Sequence, residues 1–350
     1  MAGLQSPGSE ILAALGLGAA TCEPFPSGLI NQSWLVVTPA GEQRVLQRVN
    51  RIFPTEINTD IDVVTRHLAS QGLTTPRLIP TPDGQLTLKM DGVVWRQLTY
   101  IPGTTRDVLQ NTHQAAEAGA LLGFFHRAVA ELDHPFANAR PGVHDTTKHI
   151  VYLSNTLNQS GNHPQFAHVD TLAEDVFELA NRLPDLGETP DRVVHGDPKI
   201  SNIVFAEDTN NALCFIDFDT LGRMPIMLEL GDAFRSWCNP LAEDEPGAEF
   251  SLLIFRSAIT GYARATQGLL SENEWRTIPA ATLTIAVELA ARFCADALNE
   301  NYFGWDATRF RTASEHNQAR TRSQINLARS IDAQHTRLEA EVMAAFEGAP

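Results

Sequence analysis

One short stretch of the chain contains the residue types that phosphoryl transfer requires. The segment HGDPKISN contains Asp197, Lys199 and Asn202. Asp217 follows about 15 residues later, at the end of the apolar segment LCFID. An acid can orient a hydroxyl and accept its proton, and a lysine can neutralise a transferred phosphate. Asn and Asp oxygens are ligands that magnesium accepts. The ordered set predicts Asp197 and Lys199 as catalytic residues and Asn202 and Asp217 as metal ligands.

The same stretch contains two more residues that the prediction includes. Side chains two residues apart face the same side of an extended chain. Asp219 would therefore face the metal together with Asp217 if the strand continued. His195 is interpreted as structural support that caps a turn around a buried hairpin. The interpretation that every polar residue here only caps a turn is disfavoured by the strand–loop–strand context.

Apolar periodicity predicts the elements that must position these residues. Before residue 101 it indicates mainly strands with one helix, and the turn signals are Pro39–Gly41 and Asp91-Gly92. After residue 103 it indicates mainly helices. The predicted strands are 29–37, 43–49, 85–90 and 93–100, and the predicted helices are 55–71, 113–132, 170–183, 280–299 and 312–346.

The pattern predicts an α+β chain with two lobes. A small β-rich, nucleotide-binding lobe would span residues 1–100. A larger, mainly helical lobe with the catalytic loop and the acceptor site would span residues 101–350. Chains of this kind often bind a ligand in the cleft between the lobes.

Composition limits the partners of this 350-residue chain. With 26 Lys and Arg against 42 Asp and Glu, its formal net charge is −16. Such a charge opposes binding to nucleic acid and to anionic membranes, so a nucleotide site must concentrate positive charge locally. No apolar run approaches the ~20 residues of a membrane span. The four cysteines form no CxxC pair, which favours a cytoplasmic location. The expected partner is a small molecule.

The stretch HGDPKISN…FIDFD resembles the catalytic and metal-binding segments of the aminoglycoside phosphotransferase and choline kinase superfamily, relatives of the protein kinases. This resemblance implies a two-lobed protein-kinase-like fold, with ATP and Mg²⁺ as cofactors. Gly231-Asp232-Ala233 resembles a later segment whose Asp braces the catalytic loop, which implies structural support by Asp232. The alternative is that Asp232 caps the next helix.

The resemblance also implies cofactor-binding residues in the first lobe. The segment RVLQRVN resembles the strand that normally carries a phosphate-contacting lysine, here Arg48, with an acidic partner near Asp62. The alternative for Arg48 is an outward-facing charge on a strand. Residues 27–33 take the place of the phosphate-covering loop, and Gly28 is their single glycine.

The segment QLTYIPG resembles the hinge between the lobes of such kinases. The resemblance implies that backbone groups of Thr99, Tyr100 and Ile101 bind the adenine.

Within the superfamily, most of the chain resembles the N-acetylhexosamine 1-kinases, which phosphorylate the anomeric hydroxyl of an N-acetylated sugar. In the segments ARFCAD and NYF, Arg292 and Tyr302 match residues that touch the sugar. Glu288, Arg292 and Asp296 could instead form a solvated ion-pair row on one helix. Tyr302 could equally pack at the end of that helix.

Two other functions remain open. A kinase of the same fold could act on an aminoglycoside, choline, homoserine or a ketosamine. A non-catalytic nucleotide-binding relative would belong to a different class, although Asp197 and both metal ligands are present. The sugar 1-kinase is the leading hypothesis, with Asp197, Arg292 and Tyr302 around the acceptor.

Overall fold

The first part of the chain forms an antiparallel sheet with one long helix. The structure is a computed structural model and describes residues 6–25, 30–137 and 142–348. Helices α1 and α2 span Ser9–Ala14 and Ile57–Ser70. The strands are β1 (Thr21–Pro24), β2 (Gln32–Val37), β3 (Gln43–Val49), β4 (Leu78–Ile79), β5 (Leu88–Met90) and β6 (Val93–Thr99).

The two faces of this sheet pack against different partners. The strand order is β1–β2–β3–β6–β4, and β5 also pairs with β6. On one face, Trp34, Leu46 and Trp95 form a small cluster with residues that follow α1. On the other face, Leu98 belongs to a large core that includes Ile57 of α2 and extends through the helical part of the chain. We call the second face the inner face, because it looks toward the helical part.

The second part of the chain is mainly helical, with two short strand pairs inserted. The helices are α3 (Thr112–Val129), α4 (Thr146–Gln159), α5 (Phe166–Ala180), α6 (Ile226–Trp237), α7 (Leu252–Ala265), α8 (Glu272–Arg276), α9 (Ile278–Asn299), α10 (Ala313–Ala333) and α11 (His335–Glu347). The strands are β7 (Asp191–Val194), β8 (Ile203–Phe205), β9 (Ala212–Phe215) and β10 (Gly222–Pro225).

Helix α9 is the centre of this lobe. It packs against α4, α5, α6, α10 and α11. Among the described residues it is the one helix whose length and apolar composition match a membrane span, and most of it is buried by those neighbours. Core helices of this kind are apolar all round because no side faces water.

The predicted α+β class and the two-lobed arrangement are confirmed. The proposed boundary at residue 100 falls directly after β6. The predicted final helix is in fact two helices, α10 and α11, which are separated at Gln334. Helix α4 was not predicted. It buries only Leu153 and Thr156 fully, and Ile150 and Leu157 are partly buried beside them, so its apolar stripe is narrow.

Helices α3 and α7 approach closely because a glycine lies at their crossing. A Cβ added to Gly119 would lie 1.9 Å from the carbonyl oxygen of Ala258. Any larger residue must therefore push the two helices apart.

We expect Gly119→Ala to destabilise the protein by about 1–3 kcal/mol, the usual effect of overpacking a core. The control is Gly161→Ala, because an added Cβ there meets nothing within 4 Å. Thermal unfolding checks this prediction, and equal shifts for the two variants would contradict it.

Candidate active site

Two strand pairs bring the catalytic loop and the metal-binding turn together. Strand β7 pairs with β10, and β8 pairs with β9. The loop after β7 (195–202) and the turn after β9 (216–221) therefore leave the same ends of these pairs. The amide of Ile216 donates to the carbonyl of Asn202 over 2.9 Å. This bond places Asp217 beside Asn202, as a hairpin between the two predicted ligands requires.

Asp197, Lys199 and Asn202 form one hydrogen-bonded group. Lys199 Nζ lies 2.6 Å from Asp197 Oδ2, and Asn202 Nδ2 donates to the same oxygen over 3.1 Å. Asp197 Oδ1 has no hydrogen-bond partner among the described residues, so this oxygen is available to a ligand. Burial alone would raise the pKa of Asp197, but the charge of Lys199 outweighs it and lowers that pKa. Asp197 is therefore ionised at neutral pH.

Lys199 keeps its proton although it is in a crowded site. Burial alone would lower the pKa of Lys199, but the carboxylates of Asp197 and Asp217 raise it above its ordinary value. A cation is thus maintained between the catalytic loop and the metal-binding turn.

Asp217 lies in a strained turn and in an unfavourable charge environment. Its backbone is left-handed, with φ 66° and ψ 58°, a conformation that often marks functional sites. Burial and the neighbouring Asp219 raise the pKa of Asp217 to about 7. A bound cation would relieve this repulsion.

The donor set suits magnesium rather than a metal held by protein alone. Asn202 directs its Nδ2 toward Asp197, which leaves its Oδ1 without a partner among the described residues. The described ranges contain no group of three or more His, Cys, Asp and Glu side chains that could hold a metal. Magnesium usually takes one or two protein oxygens and completes its shell with water and substrate phosphates. Asp217 and Asn202 fit that requirement.

The catalytic loop rests on a buried network that the sequence did not reveal. Glu229 of α6 accepts hydrogen bonds from the backbone amides of His195 and Gly196 over 3.0 and 2.7 Å. It also contacts His126 Nε2 at 2.9 Å. Burial alone would raise the pKa of Glu229, but the contact with His126 lowers it. Glu229 is 1% exposed and therefore acts as an internal anion that holds the loop.

His195 is fully buried inside this network. Its Nδ1 accepts from the Asp197 amide over 3.3 Å, so the proton lies on Nε2, which donates to the carbonyl of Ile216 over 3.0 Å. Burial lowers the pKa of His195 and keeps the ring neutral. The structure therefore places His195 between the catalytic loop and the metal-binding turn, where it can support both.

Gly196 permits the close approach of these two segments. Its φ is +83°, and an added Cβ would lie 2.1 Å from the carbonyl oxygen of Thr220. The Thr220 hydroxyl donates to the carbonyl of His195 over 3.0 Å. A larger residue at position 196 would separate the loop from the turn.

Asp232 does not brace the catalytic loop, contrary to the prediction. Its carboxylate lies 2.7 Å from Arg235, which also contacts Glu243. The loop is instead braced by Glu229 and by Trp237, whose Nε1 donates to the carbonyl of Pro198 over 2.8 Å. Asp232 lies one turn after Glu229 on α6, but its carboxylate binds Arg235 and not the backbone of the loop.

The expectation that Asp217 and Asp219 face the same way is also wrong. The chain does not stay extended after Asp217, because Phe218–Thr220 forms a 3₁₀ turn. Asp219 is 1% exposed and both of its oxygens bind Arg96 of β6, at 2.6 and 2.8 Å. In this structure Asp219 is therefore engaged with the first lobe.

Arg48 lies on the outer face of the sheet, so the structure contradicts its assignment to phosphate binding. Its register partners are Gln32 and Trp95, and Trp95 belongs to the outer cluster. The guanidinium is exposed and bonds to Gln32 over 3.2 Å. The neighbouring Gln47 occupies the inner face. A shift of one residue along a strand moves a side chain to the opposite face.

The other predicted residues of the first lobe have mixed outcomes. Gly28 lies outside the described residues. Asp62 forms an exposed pair with Arg66 within α2, at 2.9 Å. Tyr100 and Ile101 are half-buried and directly follow β6, and the Thr99 hydroxyl accepts from the Arg77 amide over 2.9 Å. The hinge assignment stays a prediction.

Arg292 and Tyr302 do lie together. Arg292 approaches the Tyr302 hydroxyl to 3.5 Å, and its guanidinium carbon is 5.8 Å from the ring centroid. The alternative of a solvated ion-pair row is wrong, because Glu288 and Asp296 are only 1% and 4% exposed. Asp296 instead accepts backbone amides of residues 301–303 and fixes the segment that carries Tyr302.

Comparison with known proteins identifies the family. The model of the phosphotransferase enzyme family (APH) matches residues 21–265, so the chain belongs to that family. A homoserine kinase of Cupriavidus taiwanensis is 25% identical over 239 residues, which cover 66% of this chain and 69% of that protein.

Solved structures of two kinases share the fold. One is a microcompartment-associated aminopropanol kinase, with a TM-score of 0.63 and 15% identity, covering 93% of this chain and 97% of that one. The other is an amicoumacin kinase in complex with AMP-PNP and Ca²⁺, with a TM-score of 0.58 and 14% identity, covering 95% and 89%. The match to the family model confirms the predicted superfamily, and these structures confirm its fold.

The raised pKa of Asp217 gives a prediction for the metal-free protein. A carboxyl group with a higher pKa in the folded state favours folding when protonated. Its destabilising effect is therefore absent below about pH 4, grows as the pH rises, and is complete above about pH 7. In EDTA at pH 8, we expect Asp217→Asn to be more stable than the wild type by roughly 1–3 kcal/mol.

Unfolding curves recorded between pH 4 and pH 8 measure this effect. The difference between variant and wild type should shrink toward pH 4. A variant that is less stable at pH 8, or a difference that does not change with pH, would contradict the charge environment described for Asp217.

Proposed function

We propose that this protein is an ATP- and magnesium-dependent kinase that phosphorylates a hydroxyl group of a small molecule. The observation that carries the proposal is the group formed by Asp197, Lys199 and Asn202 beside Asp217. The family supports the reaction class, and the nucleotide analogue and divalent ion in the amicoumacin kinase complex support the cofactors.

Asp197 would orient the attacking hydroxyl. Its Oδ2 is held by Lys199 and Asn202, and its Oδ1 is available to accept a hydrogen bond from the acceptor. A carboxylate with a lowered pKa is a weak base. Because phosphoryl transfer passes through a loose transition state, Asp197 would mainly position the hydroxyl and take its proton late.

Lys199 would neutralise charge on the transferred group. It lies between the carboxylates of Asp197 and Asp217, where their combined charge keeps it protonated. Asp217 and Asn202 would hold magnesium, which when bound neutralises the phosphate oxygens. The hinge at Thr99, Tyr100 and Ile101 would bind the adenine.

The first candidate acceptor is a sugar, most specifically the anomeric hydroxyl of an N-acetylhexosamine. Arg292 and Tyr302 form a mixed cationic and aromatic surface of the kind that binds sugars, and Tyr302 is 60% exposed. Residues 143–144 lie between this surface and the catalytic loop. Val143 and Gly196 line one small cavity, and the next residue, His144, contacts Glu288 at 2.9 Å. Arg292 lies one helical turn beyond Glu288.

The second candidate acceptor is an amino alcohol such as homoserine. It is favoured by the curated relative from Cupriavidus taiwanensis, which is a homoserine kinase. The aminopropanol kinase with the same fold also acts on an amino alcohol by its name. For such an acceptor, the exposed aromatic surface at Tyr302 would have no role.

Asp197→Asn tests the reaction class. We expect turnover to fall by about 10²–10⁴-fold, the range for loss of a general base, while the affinity for Mg²⁺-ADP changes little. The control is Asp208→Asn, because Asp208 is an exposed carboxylate after β8. An Asp197→Asn variant with wild-type turnover would refute the role of Asp197.

An acceptor panel tests the substrate class. ATP consumption would be measured with N-acetylglucosamine, N-acetylgalactosamine, homoserine, choline and an aminoglycoside, and phosphorus NMR would locate the product phosphate. If a sugar is the acceptor, we expect Arg292→Met to raise its KM about tenfold, which corresponds to the loss of ~1.4 kcal/mol, and to leave the KM for ATP unchanged. Turnover with homoserine alone would refute the sugar assignment.

A further inference from the structure

On the described strands β2, β3 and β6, the inner face of the sheet carries one cation, Arg96, opposite the metal-binding turn. Ser33, Gln47 and Arg96 are direct register partners on β2, β3 and β6, so their side chains lie in one row. Apart from Gln43 at the start of β3, the other residues of these three strands on that face are apolar. The first lobe therefore presents its positive charge here through Arg96 of β6 rather than through a residue of β3.

Arg96 forms a buried bridge between the lobes. Its two terminal nitrogens lie 2.6 and 2.8 Å from the two oxygens of Asp219. The guanidinium also donates to Gln47 over 2.8 Å and to Asn58 of α2 over 3.2 Å. Arg96 and Asp219 are 2% and 1% exposed. A two-point contact of this kind fixes orientation as well as distance.

Asp219 transmits this contact to the metal-binding turn. It lies two residues after Asp217, inside the 3₁₀ turn that follows the left-handed Asp217. Asn31 also donates to Asp219, over 2.5 Å. At the other end of the turn, Thr220 binds the carbonyl of His195. A left-handed aspartate persists only where its surroundings hold it, and here the turn is held from the first lobe and from the catalytic loop.

We propose that Arg96 is a positioning residue for the magnesium–nucleotide site. Its two contacts with Asp219 hold the turn that contains Asp217. The position of the Asp217 carboxylate therefore depends on the first lobe. The sequence had suggested that Asp62 of α2 pairs with the cation of the sheet. In the structure Asn58 makes the contact from α2, to Arg96. The proposal rests on the proposed function, because it assigns Asp217 to the metal.

The test compares nucleotide binding with and without metal. In the double variant Arg96→Met/Asp219→Asn both charges are lost together, so the net charge near Asp217 is unchanged and no unpaired ion is buried. We expect its affinity for Mg²⁺-ADP to fall by about 10- to 100-fold, the usual effect of losing a partner of a metal ligand. Its affinity for ADP in EDTA should stay within about twofold of the wild type, because the turn contacts metal and not base.

Two further variants complete the experiment. Arg96→Lys keeps the charge without the two-point contact, and we expect an intermediate loss of Mg²⁺-ADP affinity. It tests the proposal even if the double variant fails to fold. Arg48→Met removes an arginine from the outer face of the same sheet, and both affinities should be unchanged. Isothermal titration calorimetry measures all of these affinities without any acceptor.

The outcomes separate this proposal from the proposed function. Wild-type Mg²⁺-ADP affinity in the double variant or in Arg96→Lys, or an equal loss with and without metal, would overturn the positioning role and leave the kinase assignment standing. A wild type that binds Mg²⁺-ADP but phosphorylates no acceptor would overturn the kinase assignment. Metal-selective loss in the variants would still support the positioning role.

Discussion

The placement of three carboxylates in one small region is the constraint on which the rest of the site depends. Asp197, Asp217 and Asp219 are all wholly or partly buried, and burying an anion is unfavourable unless a cation compensates it. Asp197 is compensated by Lys199, and Asp219 is compensated by Arg96. Among the described residues Asp217 has no ion-pair partner of its own, and burial together with the charge of Asp219 raises its pKa to about 7. The protein thus leaves one negative charge for a cation that it does not itself supply.

Once a metal cation compensates Asp217, the same charge arrangement would allow so acidic a chain to bind a nucleotide as proposed. The formal net charge of −16 repels phosphates at long range. Within the site, Lys199 and Arg96 are both held in fixed positions by carboxylates, so they need not be ordered when a ligand binds. Pre-positioned charges in a site that excludes water are more effective than the same charges on a solvated surface.

The sequence predicted the parts of the site that local strand pairing brings together. It missed the contacts between residues that are far apart along the chain. The spacing of Asp197, Asn202 and Asp217 was sufficient, because the strands around them are short and their pairing is local. Arg96 was missed, because its partner Asp219 is 123 residues away along the chain.

Arg48 shows a different limit. The strand itself was predicted correctly as 43–49, but a position one residue away faces the other side. Only the register of β3 with β2 and β6 decides whether Gln47 or Arg48 lies on the inner face. Glu229 was missed for a third reason, since a lone acid in an apolar helix gives no local signal of the two backbone amides that it binds.

The catalytic loop and the proposed acceptor surface differ in burial. The catalytic loop rests on Glu229, His195 and Trp237, each at most 1% exposed, so changes there disturb the core. The surface that includes Tyr302 lies at the exposed end of α9 and can change without such disturbance. Substitutions at the exposed surface around Tyr302 are therefore expected to cost less stability than substitutions in the network below the catalytic loop.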